Sequence, residues 1–289
     1  MIASELELPI ARVCRIARAP RSTIYARRKT SACPDVARRG PKTDLSDAEL
    51  VEWIRKVIDE SPFCGEGYRK VRAHLRREHG IHAGGKRVLR LMRREGLLAP
   101  QRAAHRRKPR LHLGSITPDA PDLMWGTDGT TIMTKNDGQV WIFATIDHFS
   151  DEAWTHVAKV GDRFAALQPV YDAVIDRFGE LGADVARGIK IRHDWGSQYR
   201  SRHFFGSTKW LGFDDSPAFV GEPQTNGTAE RFMRTLKEQF LWSRQFDGVD
   251  DLREALAVWM KTYNTEWLVD RLGHRTPKET YASFISNAA

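Results

Sequence analysis

An all-α helix-turn-helix region followed by an α/β core with a mixed five-stranded sheet is the fold class this sequence predicts. Three observations predict it. Apolar residues recur at helical spacing through the first hundred positions, as at Leu50, Ile54 and Val57 and again at Tyr68, Val71 and Leu75. From about residue 113 the pattern changes to strands rich in Val, Ile, Trp and Phe, separated by turn residues. The charge changes sign at the same place. Residues 1–112 hold 27 Lys and Arg against 12 Asp and Glu, a net of +15; residues 113–289 hold 19 against 25, a net of −6, and together they return the chain's +9.

The elements follow in order. Ile10 to Ala17 reads as a short helix, broken by Arg18-Ala19-Pro20, with Ser22 as the N-cap of a second helix through Tyr25 to Arg28. Two short helices around a tight break fit a helix-turn-helix. Leu45 to Glu60 is a longer helix, capped by Asp44 or Ser46 and interrupted by Pro62 and Gly65. Tyr68 to His79 is amphipathic and ends at Gly80. Lys86 to Glu95 follows, closed by Gly96, with Arg87, Arg90 and Arg94 on one face. A turn followed by an arginine-lined helix is what docking in a DNA major groove requires. Residues 99–112 hold five basic residues and no acid, Arg106, Arg107 and Lys108 among them, as in a linker lying along phosphates.

In the back half, Met124 to Met133 and Gln139 to Asp147 form a hairpin around the Asp137-Gly138 turn. Ala153 to Val160 is a third strand and Phe164 to Phe178 a helix. Ile189 to Asp194 is a fourth strand, Phe204 to Leu211 a helix, Phe213 to Ser216 a short fifth strand, and Ala229 to Phe240 a helix. This order matches the ribonuclease H-like fold, in which the first and fourth strands are central neighbours. The predicted organisation is residues 1–40 as a helix-turn-helix-like segment, 41–98 as a second helix-turn-helix domain, 99–114 as basic linker, 115–245 as catalytic core and 246–289 as a C-terminal helical segment.

Bulk composition narrows the functional classes. A chain of 289 residues at 41% hydrophobic and 29% charged is that of a soluble globular protein. No apolar run approaches the roughly 20 residues that span a bilayer, and the N-terminus lacks the apolar stretch of a secretory signal. Cys14, Cys33 and Cys64 form neither a disulfide framework nor a zinc pair, which places the chain in a reducing cytosol. A strongly basic front half is the electrostatic footprint of nucleic-acid binding.

Three acids then stand out. Asp128 sits inside an apolar strand, where an unpaired charge is costly. Asp194 ends the fourth strand. Glu230, separated from it by thirty-five residues, opens a helix after Pro223-Gln224-Thr225-Asn226-Gly227. Brought together, they form an oxygen-rich site for divalent cations and phosphodiester chemistry. Asp147 could line it, but a strand-end acid is more often a turn cap. Asp214 and Asp215 read as solvated, and His193 as a structural histidine.

The words His193-Asp194-Trp195-Gly196-Ser197-Gln198-Tyr199 and Asn226-Gly227-Thr228-Ala229-Glu230-Arg231, with Asp128 before them, resemble the DDE transposases of the IS3 family, relatives of retroviral integrases. Gly67-Tyr68-Arg69-Lys70-Val71 and Lys86 to Met92 look like that family's helix-turn-helix segment, and Tyr263-Asn264 and Thr276-Pro277 like its C-terminal signature. The resemblance implies a catalytic triad of Asp128, Asp194 and Glu230 that holds two Mg²⁺ (or Mn²⁺) ions for strand cleavage and strand transfer. It implies a DNA contact at Lys237, two helical turns beyond Glu230. Gln198 and Asn226 are either DNA contacts or turn-stabilising side chains. Terminal inverted repeats and target DNA would be the substrates of a homo-oligomer in the bacterial cytoplasm at the nucleoid, with an upstream-frame protein as a fusion partner in some members. Trp195 stands where a basic residue is common, and residues 266–270 lack the usual Arg-Pro-His word. The alternatives are a DNA-binding regulator with a silent core and a structure-directed nuclease of the same fold; Mg²⁺-dependent chemistry separates the first, strand transfer to target DNA the second. On this reading, log affinity for duplex DNA falls with log salt at a slope of about −5 or steeper, as expected for six or more phosphate contacts. A near-flat salt titration by fluorescence anisotropy would exclude the basic half as the anchor.

Overall fold

The computed structural model describes residues 9–16, 18, 20–23, 25–26, 45–100, 118–217 and 226–288. The chain divides into two compact units, Met1–Ser46 and Asp47–Ala289. In the first, helix α1 spans Ile10–Ile16 and buries Cys14. Residues 21–23 are already helical, and the Thr23 amide donates to the Pro20 carbonyl, so Ser22 lies inside the second helix rather than capping it. The fixed φ of Pro20 suits the position just ahead of a helix.

The second unit opens with three helices: α2 (Asp47–Glu60), α3 (Tyr68–His79) and α4 (Gly85–Arg94). Their contact surfaces are the apolar stripes read from the sequence, with Leu50, Ile54, Val71, Leu75, Val88, Leu91 and Met92 all buried. The linker around Arg106, Arg107 and Lys108 lies outside the described residues.

The sheet strands are β1 (Met124–Thr134), β2 (Gly138–Asp147), β3 (Ala153–Ala158), β4 (Lys190–Arg192) and β5 (Asp214–Asp215), in the order β3-β2-β1-β4-β5. Strands β1, β2 and β3 form an antiparallel meander; β4 joins β1 in parallel, and β5 joins β4 in parallel. This is the ribonuclease H-like arrangement. Strands β3, β4 and β5 are shorter than the apolar runs suggested. Only two residues of β5 pair with β4, and the β1–β4 ladder ends at Arg192.

Strand alternation then sorts the core into two faces. Trp125 and Phe143 point to one side, against α5 (Arg163–Phe178) and α6 (Arg202–Leu211). Val140, Ile142, Ala144 and Ile146 of β2 point to the other, where they pack with α7 (Gly227–Leu236) and α8 (Val249–Glu266). The helix predicted to run from 229 to 240 is α7 followed by a π-helical turn, Lys237–Leu241.

The C-terminal sequence words explain themselves physically. The Asn264 amide bridges both backbone groups of Ala153, receiving its N–H at 3.1 Å and donating to its carbonyl at 2.9 Å, and so fastens α8 to the start of β3. Tyr263 donates its hydroxyl to the Asp151 carbonyl. Thr276 and Glu279 form a reciprocal capping box on α9 (Pro277–Ala288), which has proline at its first position. The helix-turn-helix segment is fastened to the core as well. Phe63 belongs to the first core cluster and meets Trp267 edge-on, and Cys64 exchanges two hydrogen bonds with the Gln239 amide.

One strand residue fixes the spacing between β1 and α7. A Cβ built on Gly126 would lie 2.5 Å from His148 Nε2 and 2.7 Å from Asn226 Oδ1, closer than packed atoms allow. Gly126→Ala is therefore expected to destabilise the protein by about 2 kcal/mol or more through overpacking. By contrast, Gly206 in α6 has open space around it, and Gly206→Ala is expected to stabilise by about 0.5–1 kcal/mol. Urea denaturation of both variants checks the pair; equal effects would refute the contact at Gly126.

Candidate active site

Register places the three acids. Asp128 pairs with Ala144 across the β1–β2 ladder, so its side chain projects from the face on which α7 packs. The parallel ladder ends where Gly126 pairs with Arg192, and Asp194 lies two residues beyond that end, past the tip of β4 next to β1. Glu230 lies in the first turn of α7, whose Ala229, Phe232, Met233 and Leu236 are sunk into that face.

The N-terminus of α7 is fastened to β1 directly. Asn226 is 4% exposed, and its Nδ2 donates to the Thr127 carbonyl at 3.1 Å, next to Asp128. Asn226 is thus the scaffold residue of the two roles the sequence allowed. Beside it, His148 is only 2% exposed, and burial, with Arg192 adding to it, lowers its pKa to about 4, so the ring is neutral. His148 and the particular partner of Asn226 were not legible in the sequence, although a glycine inside strand β1 is the ordinary sign of another group approaching the backbone closely.

Asp128 lies within electrostatic reach of the other two acids. The Asp128 carboxyl is raised from 3.8 to about 6, first by burial and further by the charges of Asp194 and Glu230, while Lys237 pulls it down. Burial also raises the Glu230 carboxyl, with Arg234 opposing. The half-buried Lys237, first residue of the π turn, is near enough for its charge to act on Asp128.

Each aspartate is turned to a local donor. Asp128 accepts the Gly129 amide at 2.8 Å, and Asp194 accepts the Gly196 amide at 2.8 Å. The second contact needs a glycine, since a Cβ at Gly196 would fall 2.9 Å from Asp194 Oδ1 and 2.7 Å from Gln198 Nε2. Among the described residues, no three His, Cys, Asp or Glu side chains already stand close enough to grip one ion together. The donor set nevertheless suits a hard divalent cation. It consists of carboxylate oxygens alone, with the Asp128 carboxyl pushed upward by burial and by the other two acids.

The loop behind Asp194 is rigid for identifiable reasons. His193 is 1% exposed, meets the Asp194 carbonyl at 2.7 Å and the Asp215 carboxylate at 2.9 Å, and stacks on Tyr199. Asp215 is thus engaged by His193 rather than simply solvated, while Asp214 is exposed. Trp195 is 48% exposed at the surface beside Asp194. Gln198 is half-buried, and its Oε1 accepts from the Ser197 hydroxyl. Asp147 is a turn residue, fully buried, accepting from the amides of Asp122 and Ser150 and from the Ser150 hydroxyl.

On helix α4 the three arginines are exposed or half-buried but not free. Asp47 receives Arg87 at 2.8 Å and Arg90 at 2.7 Å, and Glu95 receives Arg94 at 2.9 Å. Much of that positive face is neutralised within the protein, a point invisible in the helix's own sequence because Asp47 belongs to α2.

A carboxyl held at about 6 binds protons in the folded state that it has released in the unfolded chain, so its ionisation destabilises the fold as pH rises from 4 to 7. Asp128→Asn is expected to stabilise the protein in EDTA by about 1–2 kcal/mol at pH 7.5, with the advantage vanishing near pH 4. Thermal melts across that range test it; an advantage independent of pH would exclude the charge as its cause.

Known proteins share this organisation. Residues 45–105 match the HTH-like domain family and residues 215–277 the integrase core domain family. Among solved structures, the intasome of simian T-cell lymphotropic virus aligns over 82% of this chain and 74% of its own, at 18% identity and a TM-score of 0.48. The HTLV-2 integrase catalytic core domain in complex with magnesium aligns over 56% of this chain and 98% of its own, at 16% identity and a TM-score of 0.43. The transposase InsD of insertion element IS2 from Escherichia coli is 30% identical over 278 residues, covering 93% of this chain and 89% of that relative. With that coverage, and with a helix-turn-helix-like unit preceding an integrase-type core, the chain belongs to the IS3 family of transposases.

Proposed function

We propose that this transposase cuts the ends of its insertion element and joins them to new DNA, with Asp128, Asp194 and Glu230 as its catalytic acids. The observation that supports the triad most is the mutual repulsion registered at Asp128, whose carboxyl feels both Asp194 and Glu230 across one face of the sheet. Two Mg²⁺ or Mn²⁺ ions held by these carboxylates would supply Lewis-acid stabilisation of the attacking and leaving oxygens.

The chain's own residues do the rest. Asp128 loses its proton near pH 6 and is ready as a ligand above it. Asp194 would hold the cation with the carboxylate that here accepts the Gly196 amide. Asn226 holds the Glu230 helix on β1, so that the third ligand arrives at a fixed height. Lys237 offers a cation beside the acids, where the phosphodiester of an element end would lie. No serine, tyrosine or cysteine nucleophile is needed, because water and then a DNA 3′-hydroxyl attack in line.

DNA is held by the basic front half. Arg87, Arg90 and Arg94 of α4, with Arg106, Arg107 and Lys108 of the linker and Gln198 near the acids, are the assigned contacts. Base contacts by Arg87 and Arg90 require exchange of the Asp47 carboxylate for a base edge or phosphate. The substrates are the terminal inverted repeats and a target duplex. Two ends must be processed together, so the working form is an oligomer on DNA, with an upstream-frame fusion as a further form. Among the described residues, no helix is long and apolar enough to cross a membrane.

Asp194→Ala and Glu230→Ala are each expected to lower Mg²⁺-dependent cleavage and joining of a labelled element end by at least about 10³-fold. Duplex binding by the same variants stays within about threefold of wild type, because neither residue lies in the basic half. Survival of strand transfer in either variant would refute the triad. Wild-type DNA binding with no chemistry in Mg²⁺ or Mn²⁺ would leave a regulator.

A further inference from the structure

Helix α3 carries a second concentration of positive charge, apart from the arginine row of α4. A cavity of about 260 Å³ lies between α3 and the turn at residues 273–275, lined by Arg69, Arg72, Arg76, Arg77, His274 and Arg275. A second cavity of about 250 Å³ shares Arg72 and Arg76 and continues past His82 to Gly84, at the turn before α4. Arg69, Arg72 and Arg76 recur at i, i+3, i+7 on one face of α3, so the groove runs about 10 Å along the helix.

Two carboxylates oppose five guanidinium groups there. Asp270 pairs with Arg69 at 3.1 Å, and Glu279 with Arg77 at 2.6 Å. The hydrogen bonds of the other cations go elsewhere: Arg72 donates to the Ala83 carbonyl and Arg275 to the Ser283 hydroxyl. Arg76 is exposed. Among the described residues, three positive charges therefore remain in excess. His274 sits in a left-handed conformation (φ 61°), its Nε2 3.4 Å from Asp270 and its Nδ1 shielded from solvent with no partner among the described residues. On α4, Asp47 holds Arg87 and Arg90, and Glu95 is shared between Arg94 and Arg55.

We propose that this groove is a phosphate-binding track that seats the sugar–phosphate backbone of duplex DNA, with Arg72, Arg76 and Arg275 as its principal contacts. The proposal rests on the reading of the chain as a DNA transposase and adds a surface outside both the acid triad and the α4 arginine row. Guanidinium groups suit phosphodiester oxygens because their planar donors bind two oxygens at once. Cations with one donor already engaged by a carbonyl or hydroxyl are also fixed in place, which lowers the ordering cost of the contact. The groove joins the helix-turn-helix segment to the C-terminal segment, so DNA seated in it touches both parts of the unit that also holds the acids.

The test uses the full-length protein and two labelled duplexes, one ending in the element's terminal repeat and one of unrelated sequence. Affinity is measured by anisotropy across a salt series. The triple variant Arg72→Gln, Arg76→Gln, Arg275→Gln is expected to bind both duplexes at least about tenfold more weakly at low salt. Its log–log salt slope should be shallower by about 2–3, one step of roughly 0.9 for each phosphate no longer neutralised. The triple lysine variant keeps the cations and should retain the wild-type slope, with a smaller drop in affinity. Unchanged binding by the glutamine variant, or weakening confined to the terminal-repeat duplex, would overturn the assignment. So would a lysine variant as weak as the glutamine one, since the contacts would then not be ionic. These outcomes are separate from failure of the transposase reading, which shows as wild-type protein that binds neither duplex or performs no Mg²⁺-dependent cleavage.

Discussion

The hydrogen bond from Asn226 to the Thr127 carbonyl, made directly above Gly126, is the constraint on which the site depends. Pairing of β1 with β4 brings the end of β4, and Asp194 two residues beyond it, beside the strand that carries Asp128. Glu230 has no such guarantee, since it belongs to a helix that could slide or tilt on the sheet. The Asn226 amide fixes that helix against the strand at the residue before Asp128, and the missing Cβ at Gly126 lets the helix end come close enough. Both polar partners are buried, so breaking the contact leaves unsatisfied groups at a cost of about 1–3 kcal/mol.

Gathering three acids has a cost that shows at Asp128, whose carboxyl is pushed up to about 6. Such frustration is tolerated at functional sites because the surrounding structure over-determines them. Here that structure includes the His193–Asp215 contact behind Asp194, the Asp147 turn at the end of β2, and the Asn264 bridge that holds α8 to β3. None of these bonds is made to an acid side chain of the triad, yet each fixes an element of the sheet or helices around it.

A second theme is the attachment of the DNA-binding helices to the catalytic body. Phe63 sits in the core, Cys64 and Gln239 trade hydrogen bonds, and the Lys70 ammonium lies 2.8 Å from the centre of the Trp267 ring. Burial lowers the pKa of Lys70 to about 8 even with Glu66 beside it. The segment from Asp47 onward consequently forms one compact unit rather than loosely tethered modules. Orientation of DNA relative to the acids can then be set by rigid packing instead of by linker length.

By itself the sequence determined the elements, because strand and helix periods and turn residues are local properties. The meander, the fourth strand, the helix that opens before Glu230 and the helix end at Gly80 all follow from local pattern. The acids were legible for the same reason: a charge in an apolar strand and two acids flanked by glycine turns are conspicuous along the chain. Tertiary structure decided what those residues meet. Asn226 became a tether and Asp215 a partner of His193, and Asp47 turned out to neutralise the α4 arginines from another helix. A further positive cluster formed along α3, where the C-terminal segment adds Arg275. Charge compensation depends on distance across the fold, and no linear pattern records that distance.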